Sequence, residues 1–483
     1  MQRKQLTLVI VSLLVVVLSV SLAYFTAQII GKGKDVSVTS ANLQIVFTDS
    51  DGALTETDIE PGWSATKTFT IKNDTKTEYK YNIVIKDLLN TFVTNGYLQY
   101  KITSTNDGYN MTEFKDIPKS SIATDTILAY SVVIPNGVTQ SYTIEFKYAN
   151  DESIDQSDDM GKKLSGTLFI TEGTEDPNKT LYNQLLVDKS TKLTRTDFSK
   201  VLTDNNTNTL YTSTEDSKTV YYFAGNATDN WVKFGKNASN QDLYWRIIRT
   251  NSDGGVRLLY HGTSTTAENA YISSSTAFNS SYEDSKYVGY MYDSNGTNST
   301  IKNTIDTWYK NNLTNYTKYL STTAIYCNDR TGDGTYFGAY TRLRTNKTPT
   351  YDCTDTNDKF TVDTSTGNGK LTYPIALMTS DEVSFAGGLW ATNAPTWYYY
   401  NSANGSSTGT NWWWLLSPYI WDGSYAHVFG VHGSSWPGLL NSNLVLDTGG
   451  VRPVTSLKSC VKYSSGDGTA TNPYTIQETT SGC

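Results

Sequence analysis

From about Asp35 to Thr171 apolar and polar residues alternate with period two. Leu43, Ile45 and Phe47, then Phe69 and Ile71, then Tyr81, Ile83 and Ile85, then Tyr142, Ile144, Phe146 and Tyr148 each line one side of an extended segment. Successive side chains of a strand point to opposite faces, so each set predicts a strand with one buried side. Turn formers separate the segments at Pro61-Gly62, Asn73-Asp74 and Pro135-Asn136-Gly137, where proline presets φ and glycine supplies positive φ. Many short strands punctuated this way predict an all-β sandwich over residues 35–171. Residues 172–179 are polar, contain Pro177 and read as a linker.

The pattern changes at residue 180, where a second domain, residues 180–483, opens with Leu181, Leu185 and Leu186 at helical spacing. TVYYFAGNATDNWVKFG (219–235) and LYWRIIRTNSDGGVRLL (243–259) read as strands joined by tight turns, the latter at Asp253-Gly254-Gly255. Ile301, Ile305, Trp308 and Tyr309 form a helical stripe, whose ordinary role is core packing. The most informative stretch is 412–458. Here an apolar skeleton (Trp414, Leu416, Ser417-Pro418, Ala426, Val428, Phe429, Val431, Val445, Gly449 to Pro453) is interleaved with chemically unrelated side chains, among them Tyr419, Trp421, Asp422, Tyr425, His427, His432 and Trp436. That interleaving predicts a fixed scaffold carrying a recognition face.

WxLSP at Trp414–Pro418 and GVRP at Gly450–Pro453, with YWRIIR, IDTWY and LMTSDEV upstream, resemble the C-terminal segment of C-type-lectin-like variable proteins. Formylglycine-generating enzymes use the same fold. The resemblance covers roughly Tyr221 to the C-terminus and implies an α+β domain whose last sheet is opened by WxLSP and closed by GVRP. It further implies a binding protein with its specificity residues between those motifs, where some members are diversified by retroelements. In the first domain, PGWSATKTFTIKND, IPNGVTQSYTIEFKYAND and LSGTLFI, in that order, resemble the β-sandwich of the TasA/camelysin family of Gram-positive fibre and surface proteins.

Residues 1–34 start with Arg3 and Lys4, continue in an apolar run from Leu6 to Ile30 and contain SVSLAYFTA, similar to the export signals of that family. They read as a signal peptide cleaved around Ala27 or as an uncleaved N-terminal membrane anchor, the run exceeding the roughly 20 residues needed to span a bilayer. Either gives an extracellular or cell-surface protein. The four cysteines, an even number in an exported chain, predict disulfides. Proximity favours Cys327 with Cys353 and Cys460 with Cys483; zinc is the alternative, but no pair has CxxC spacing. A net charge of -8 and only 18% charged residues argue against a nucleic-acid partner.

Enzymatic chemistry finds little to work with. The histidines are His261, His427 and His432, without an HExxH motif, and Ser417, His427 and Asp447 make a triad only on paper because no GxSxG elbow is present. The copper-binding cysteine pair implied by formylglycine-generating enzymes has no counterpart among cysteines that read as structural, so no cofactor is expected. The calcium-sugar triplets of animal C-type lectins are missing too, Trp421-Asp422-Gly423 being the nearest approach. An acidic loop, Asp151–Asp159, lacks EF-hand spacing and reads as a solvated loop rather than a calcium site.

Tyr and Trp give large, rigid contact areas with a polar tip and dominate binding hot spots. The candidate ligand-binding residues are therefore Tyr419, Trp421, Asp422, Ser424, Tyr425, His427, His432, Trp436, Asn441 and Asn443. Against this stands core filling by the same aromatics in a domain poor in leucine. Arg452 is expected to make an internal salt bridge or carbonyl contacts that lock the last strand. The leading expectation is a surface-displayed binding protein or adhesin for an extracellular protein, glycan or phage ligand. The alternative is a structural matrix protein in which the sandwich polymerises through its sheet edges.

Overall fold

The computed structural model describes residues 59–177, 179–266, 270–293, 296–398, 412–433 and 436–483, and the backbone of strands Asp35–Ser40, Leu43–Asp49 and Leu54–Glu56. Residues 1–34, where an export signal or membrane anchor is expected, lie outside the described residues, among which no helix is long and apolar enough to cross a membrane. With 40% strand against 13% helix, sheets set the architecture of both compact units, Met1–Pro177 and Asn178–Cys483.

In the first unit one sheet runs, in spatial order, Asp35–Ser40, Leu43–Asp49, Ser64–Asn73, Thr139–Tyr148, Leu98–Ser104, Lys115–Asp116; the other runs Leu54–Glu56, Leu164–Glu172, Tyr79–Asn90, Ser120–Ile134. Phe69, Ile71 and Ile144 from the first and Ile83, Ile85 and Ile170 from the second belong to one buried cluster. Alternation thus delivers two inner faces to a shared core. Within it, Tyr81 donates its hydroxyl to Gln140 Oε1 at 2.6 Å, and Gln140 Nε2 donates to Val133 O at 2.9 Å, so the buried polar groups find partners. The turn at Pro135-Asn136-Gly137 closes with Gly137 N donating to Asn73 O at 2.9 Å, at a glycine φ of +71°.

One expected boundary changes here. The start of the presumed linker belongs to the sandwich: strand Leu164–Glu172 takes in residue 172, Gly173 N donates to Lys80 O at 2.9 Å, and Thr174 N donates to Asn82 Oδ1 at 3.0 Å. The acidic loop is largely exposed, as expected of a solvated loop, with Asp151, Asp155 and Asp159 bonded within the chain and Asp159 alone buried. Asp151 and Asp155 accept from the backbone N–H two residues on, at 2.9 Å each, while buried Asp159 accepts from Val93 N at 2.6 Å and from the Tyr148 hydroxyl at 2.8 Å.

The second unit opens with helix Leu181–Asp188, whose N-cap Thr180 accepts from Asn183 N. Its ten-stranded sheet is centred on Asp242–Thr250, flanked by Trp231–Lys236 and Val256–Gly262; Pro453–Leu457 joins the latter, and Ile375–Leu377 joins Pro453–Leu457. Trp231–Lys236 also pairs with Tyr474–Ile476 near the end of the chain. A five-stranded sheet follows in the order Ser273–Ala277, Thr448–Val451, Trp413–Trp421, Ala426–Val431, Leu440–Leu444. Helix Thr300–Asn312 buries Ile301, Ile305 and Tyr309 and sets Trp308 edge-on against Tyr260 at 5.1 Å, the core role expected of its stripe. Disulfides join Cys327 to Cys353 and Cys460 to Cys483, as proximity favoured.

Charge is buried on a scale the sequence pattern did not announce. Arg246, Arg249, Arg257 and Arg452 are at most 3% exposed, and burying a cation is costly unless it is paired and hydrogen-bonded. Glu382 Oε1 lies 3.0 Å from both Arg249 Nε and Arg257 Nε, and Glu215 Oε1 lies 2.8 Å from Arg249 Nη2. The other oxygen of Glu382 accepts from Thr379 N at 3.0 Å, completing the capping box of helix Ser380–Ala386. LMTSDEV thus encodes a helix start and a counter-ion in the same residue. Next to it, Asp381 and Asp329 both pair with Arg342, at 2.9 and 2.5 Å. Each buried arginine also lies over an aromatic ring: Trp231 for Arg246, Tyr351 for Arg249, Tyr326 for Arg257 and Trp413 for Arg452, at 4.2 to 4.8 Å. Of the two expectations for Arg452, the carbonyl contact is present, Nη2 donating to Tyr260 O at 3.4 Å.

Removing one partner of a buried ion pair leaves an uncompensated charge, so Glu382→Gln should lower the unfolding free energy of this unit by about 3–5 kcal/mol in urea titrations; a loss under about 1 kcal/mol would show that the pair is solvated. Replacing both Cys327 and Cys353, 26 residues apart, with Ser should cost about 3.5 kcal/mol by the loop-entropy relation, read the same way.

Candidate functional site

Strand Trp413–Trp421 is apolar on both sides because it is covered on both sides. Trp413, Trp414, Leu415 and Leu416 are inaccessible. Proline cannot donate to a strand ladder, and Pro418 sits between two register shifts where the pairing with Ala426–Val431 is interrupted. Ser417 Oγ accepts from Ser380 N at 2.9 Å, tying WxLSP to the helix of the buried counter-ion. The scaffold positions of the interleaved pattern, Ala426, Val428, Phe429, Val431, Val445 and Val451, are buried too.

The candidate ligand residues separate into two groups at opposite ends of strand Ala426–Val431, a run of six residues that spans about 20 Å at strand rise. At the hairpin end, Asp422 Oδ1 accepts from Ser424 N at 2.9 Å and Tyr425 N at 2.7 Å, and its Oδ2 lies 3.2 Å from His427 Nε2. Burial works against the Asp422 charge, but these hydrogen bonds outweigh it and hold its carboxyl below the usual carboxylate range. The turn passes through Gly423 at φ +93°, where no other atom crowds the backbone. Tyr425, 42% exposed, stacks on Tyr282 at 5.4 Å. Asp422 and Ser424 are exposed, while Trp421 and His427 are half-buried.

At the other end His432 lies parallel to Trp412 at 6.0 Å, and Trp436, 55% exposed, meets the imidazole edge-on. Asn443 Nδ2 is 3.4 Å from His432 Nε2, and Asn441, opposite Gly430 in the ladder, shares its side of the sheet. Trp412 can lie there only because Gly430 and Gly449 lack side chains: a Cβ on Gly449 would stand 2.6 Å from the indole. Burial pulls the His432 imidazole below its ordinary value, with the Asn443 contact opposing.

Tyr419 belongs to neither group. It is 6% exposed, stacked on Trp390 at 4.7 Å and edge-on to Phe429 at 5.0 Å, so the core-filling reading describes it. Its hydroxyl, however, accepts from Arg344 Nη1 and leads to a cluster that the sequence reading missed. The Arg344 guanidinium lies 5.2 Å from both the Tyr340 and Trp390 rings, and Tyr340 abuts Tyr336 at 4.5 Å. Tyr336, Tyr340 and Arg344 are spaced i, i+4, i+8, a helical stripe that could have flagged them. Segment 335–337 reaches this cluster along the strand: Trp421 N donates to Thr335 O at 2.8 Å and Tyr336 bridges Ile420. The paper triad does not assemble. Ser417 is held by Ser380, His427 faces Asp422, and Asp447 Oδ2 accepts from Leu444 N at 3.2 Å.

No family model, curated protein or solved structure matches the chain.

With a folded pKa below the unfolded value near 6.5, His432 binds its proton more readily in the unfolded chain, so its contribution weakens the fold as pH drops through 6.5 toward the folded value. The melting temperature should therefore fall more between pH 7.5 and pH 5 in the wild type than in His432→Gln; parallel curves would remove His432 from the balance.

Proposed function

We propose that this chain is an exported binding protein of the cell surface or extracellular space, its second unit a C-type-lectin-like domain and its sandwich, of the TasA/camelysin type, a stalk or fibre module. One observation carries the reading. Within 412–453 the apolar skeleton is buried, whereas Asp422, Ser424, Tyr425 and Trp436 stand exposed in the turns at the two ends of strand Ala426–Val431. Surface side chains held by a rigid frame can be exchanged without disturbing the fold, which is the physical requirement of a recognition face. Tyr425 on Tyr282 and Trp436 on His432 are pre-ordered aromatics, which lose little entropy on binding. Two disulfides fit an oxidising, extracellular environment. Catalysis forms no part of this reading.

The purified chain should select a ligand from arrayed glycans and extracellular proteins. Alanine at Asp422, Ser424, Tyr425 and His427 together should weaken that binding at least about tenfold, the scale of an interface hot spot, while stability changes by only about 1 kcal/mol, as for surface positions. A large stability loss with unchanged affinity would instead assign these residues to packing.

A further inference from the structure

We propose that Tyr336, Tyr340, Trp390 and Arg344, supported from beneath by Tyr419, form a subsite for a carbohydrate whose pyranose rings bear carboxylates. The inference rests on the binding-protein reading and names its ligand class. It begins from the arginines. Arg246, Arg249, Arg257 and Arg452 are buried, Arg330 and Arg342 are paired with carboxylates, and Arg195 donates to the carbonyls of Ser384, Phe385 and Lys200. Arg344 is the exposed arginine of the described residues, and no described carboxylate lies within ion-pair distance of it. Lys347, one turn on, gives its ammonium to Leu343 O at 3.0 Å, and burial together with the nearby Arg344 charge pulls its pKa down. In a chain of net charge -8, two adjacent cations without a described acid partner leave a local charge for a ligand to neutralise.

The backbone reinforces this. Thr341–Asn346 is a π-helical turn, and Lys347 follows at φ +57°. Both are uncommon, unfavourable conformations that concentrate at functional positions, and the π-helical turn carries Arg344, whose guanidinium lies by the rings of Tyr340 and Trp390. Arginine is suited to the role because its planar fork meets a carboxylate through two parallel hydrogen bonds. The aromatic partners select a sugar over an acidic peptide: Tyr336 is 40% exposed and abuts Tyr340, giving ring faces edged by hydroxyls, on which the C–H face of a pyranose packs while its hydroxyls meet the polar rim. Because Tyr419 stacks on Trp390 and accepts from Arg344, the platform is fixed before ligand arrives.

The test is calorimetric titration of the full chain with a galacturonic acid hexamer, the same hexamer with its carboxylates reduced to alcohols, and hexaglutamate. Saturable binding of the acidic hexamer is expected, at least about tenfold tighter than either comparator, as loss of a charge-assisted bidentate contact implies. Arg344→Gln and Tyr336→Ala, both at exposed positions, should each weaken it about tenfold, with Arg344→Lys between. No binding, equal binding of the reduced hexamer or of hexaglutamate, or indifference to Arg344→Gln would each overturn the assignment. A screened ligand lost on alanine replacement of Asp422, Ser424, Tyr425 and His427 together but indifferent to Arg344→Gln would overturn it while leaving the binding-protein reading intact.

Discussion

The carboxylate of Glu382 is the constraint on which the second unit is organised. It starts a helix by capping its own N-terminus and supplies the negative charge that two arginines require after losing their water. Those arginines come from neighbouring strands of the ten-stranded sheet, Asp242–Thr250 and Val256–Gly262, so helix and sheet can take only the relative placement that satisfies all three. A purely apolar interface would tolerate small slips; a buried charge network does not, because any displacement leaves a desolvated ion unpaired. The neighbouring Arg342, shared between Asp381 and Asp329, extends the same lock to the segment that carries Arg344.

From that fixed point the last sheet is held to the core. Ser417 accepts from Ser380, the residue after the cap, and Leu416 N donates to Met378 O at 2.8 Å. The strand that begins with the tryptophan run is thereby registered against the charged helix, and Arg452 on Trp413 fixes the returning strand in the same place. Anchored at its centre, the sheet leaves Asp422, Ser424, Tyr425 and Trp436 exposed in the turns at the two ends of strand Ala426–Val431. The proposed binding sites lie at those ends and along the flank where Tyr336 and Arg344 dock.

The sandwich reaches stability by a different route. Its core is apolar and aromatic, with Phe69 stacked on Tyr142 at 4.7 Å, and its few buried polar groups are closed into short networks such as Tyr81 with Gln140. Its acidic loop holds itself together with Asp159 bonded inward. Tyr81 and Gln140 come from the two different sheets, so their network closes across the core between them.

That difference explains what each stretch of sequence disclosed. Period-two alternation, proline and glycine turns, helical leucine spacing and cysteine proximity determined the strands of the sandwich, the short helix at Leu181, the Ile301 stripe and both disulfide pairs, because those signals act between near neighbours. The buried skeleton of 412–453 was also legible, since its apolar positions are the ones inside, while of the candidate ligand residues Asp422, Ser424, Tyr425 and Trp436 are exposed and the others are half-buried or buried. The burial of Tyr419 was not legible, because an aromatic residue serves core and surface equally well and only packing against Trp390 decides. Nor was the separation of the display residues into two groups, which follows from the strand length between them. The counter-ion role of Glu382 and the Tyr336 to Arg344 cluster depend on contacts between residues far apart in the chain, which only the tertiary structure brings within reach of one another.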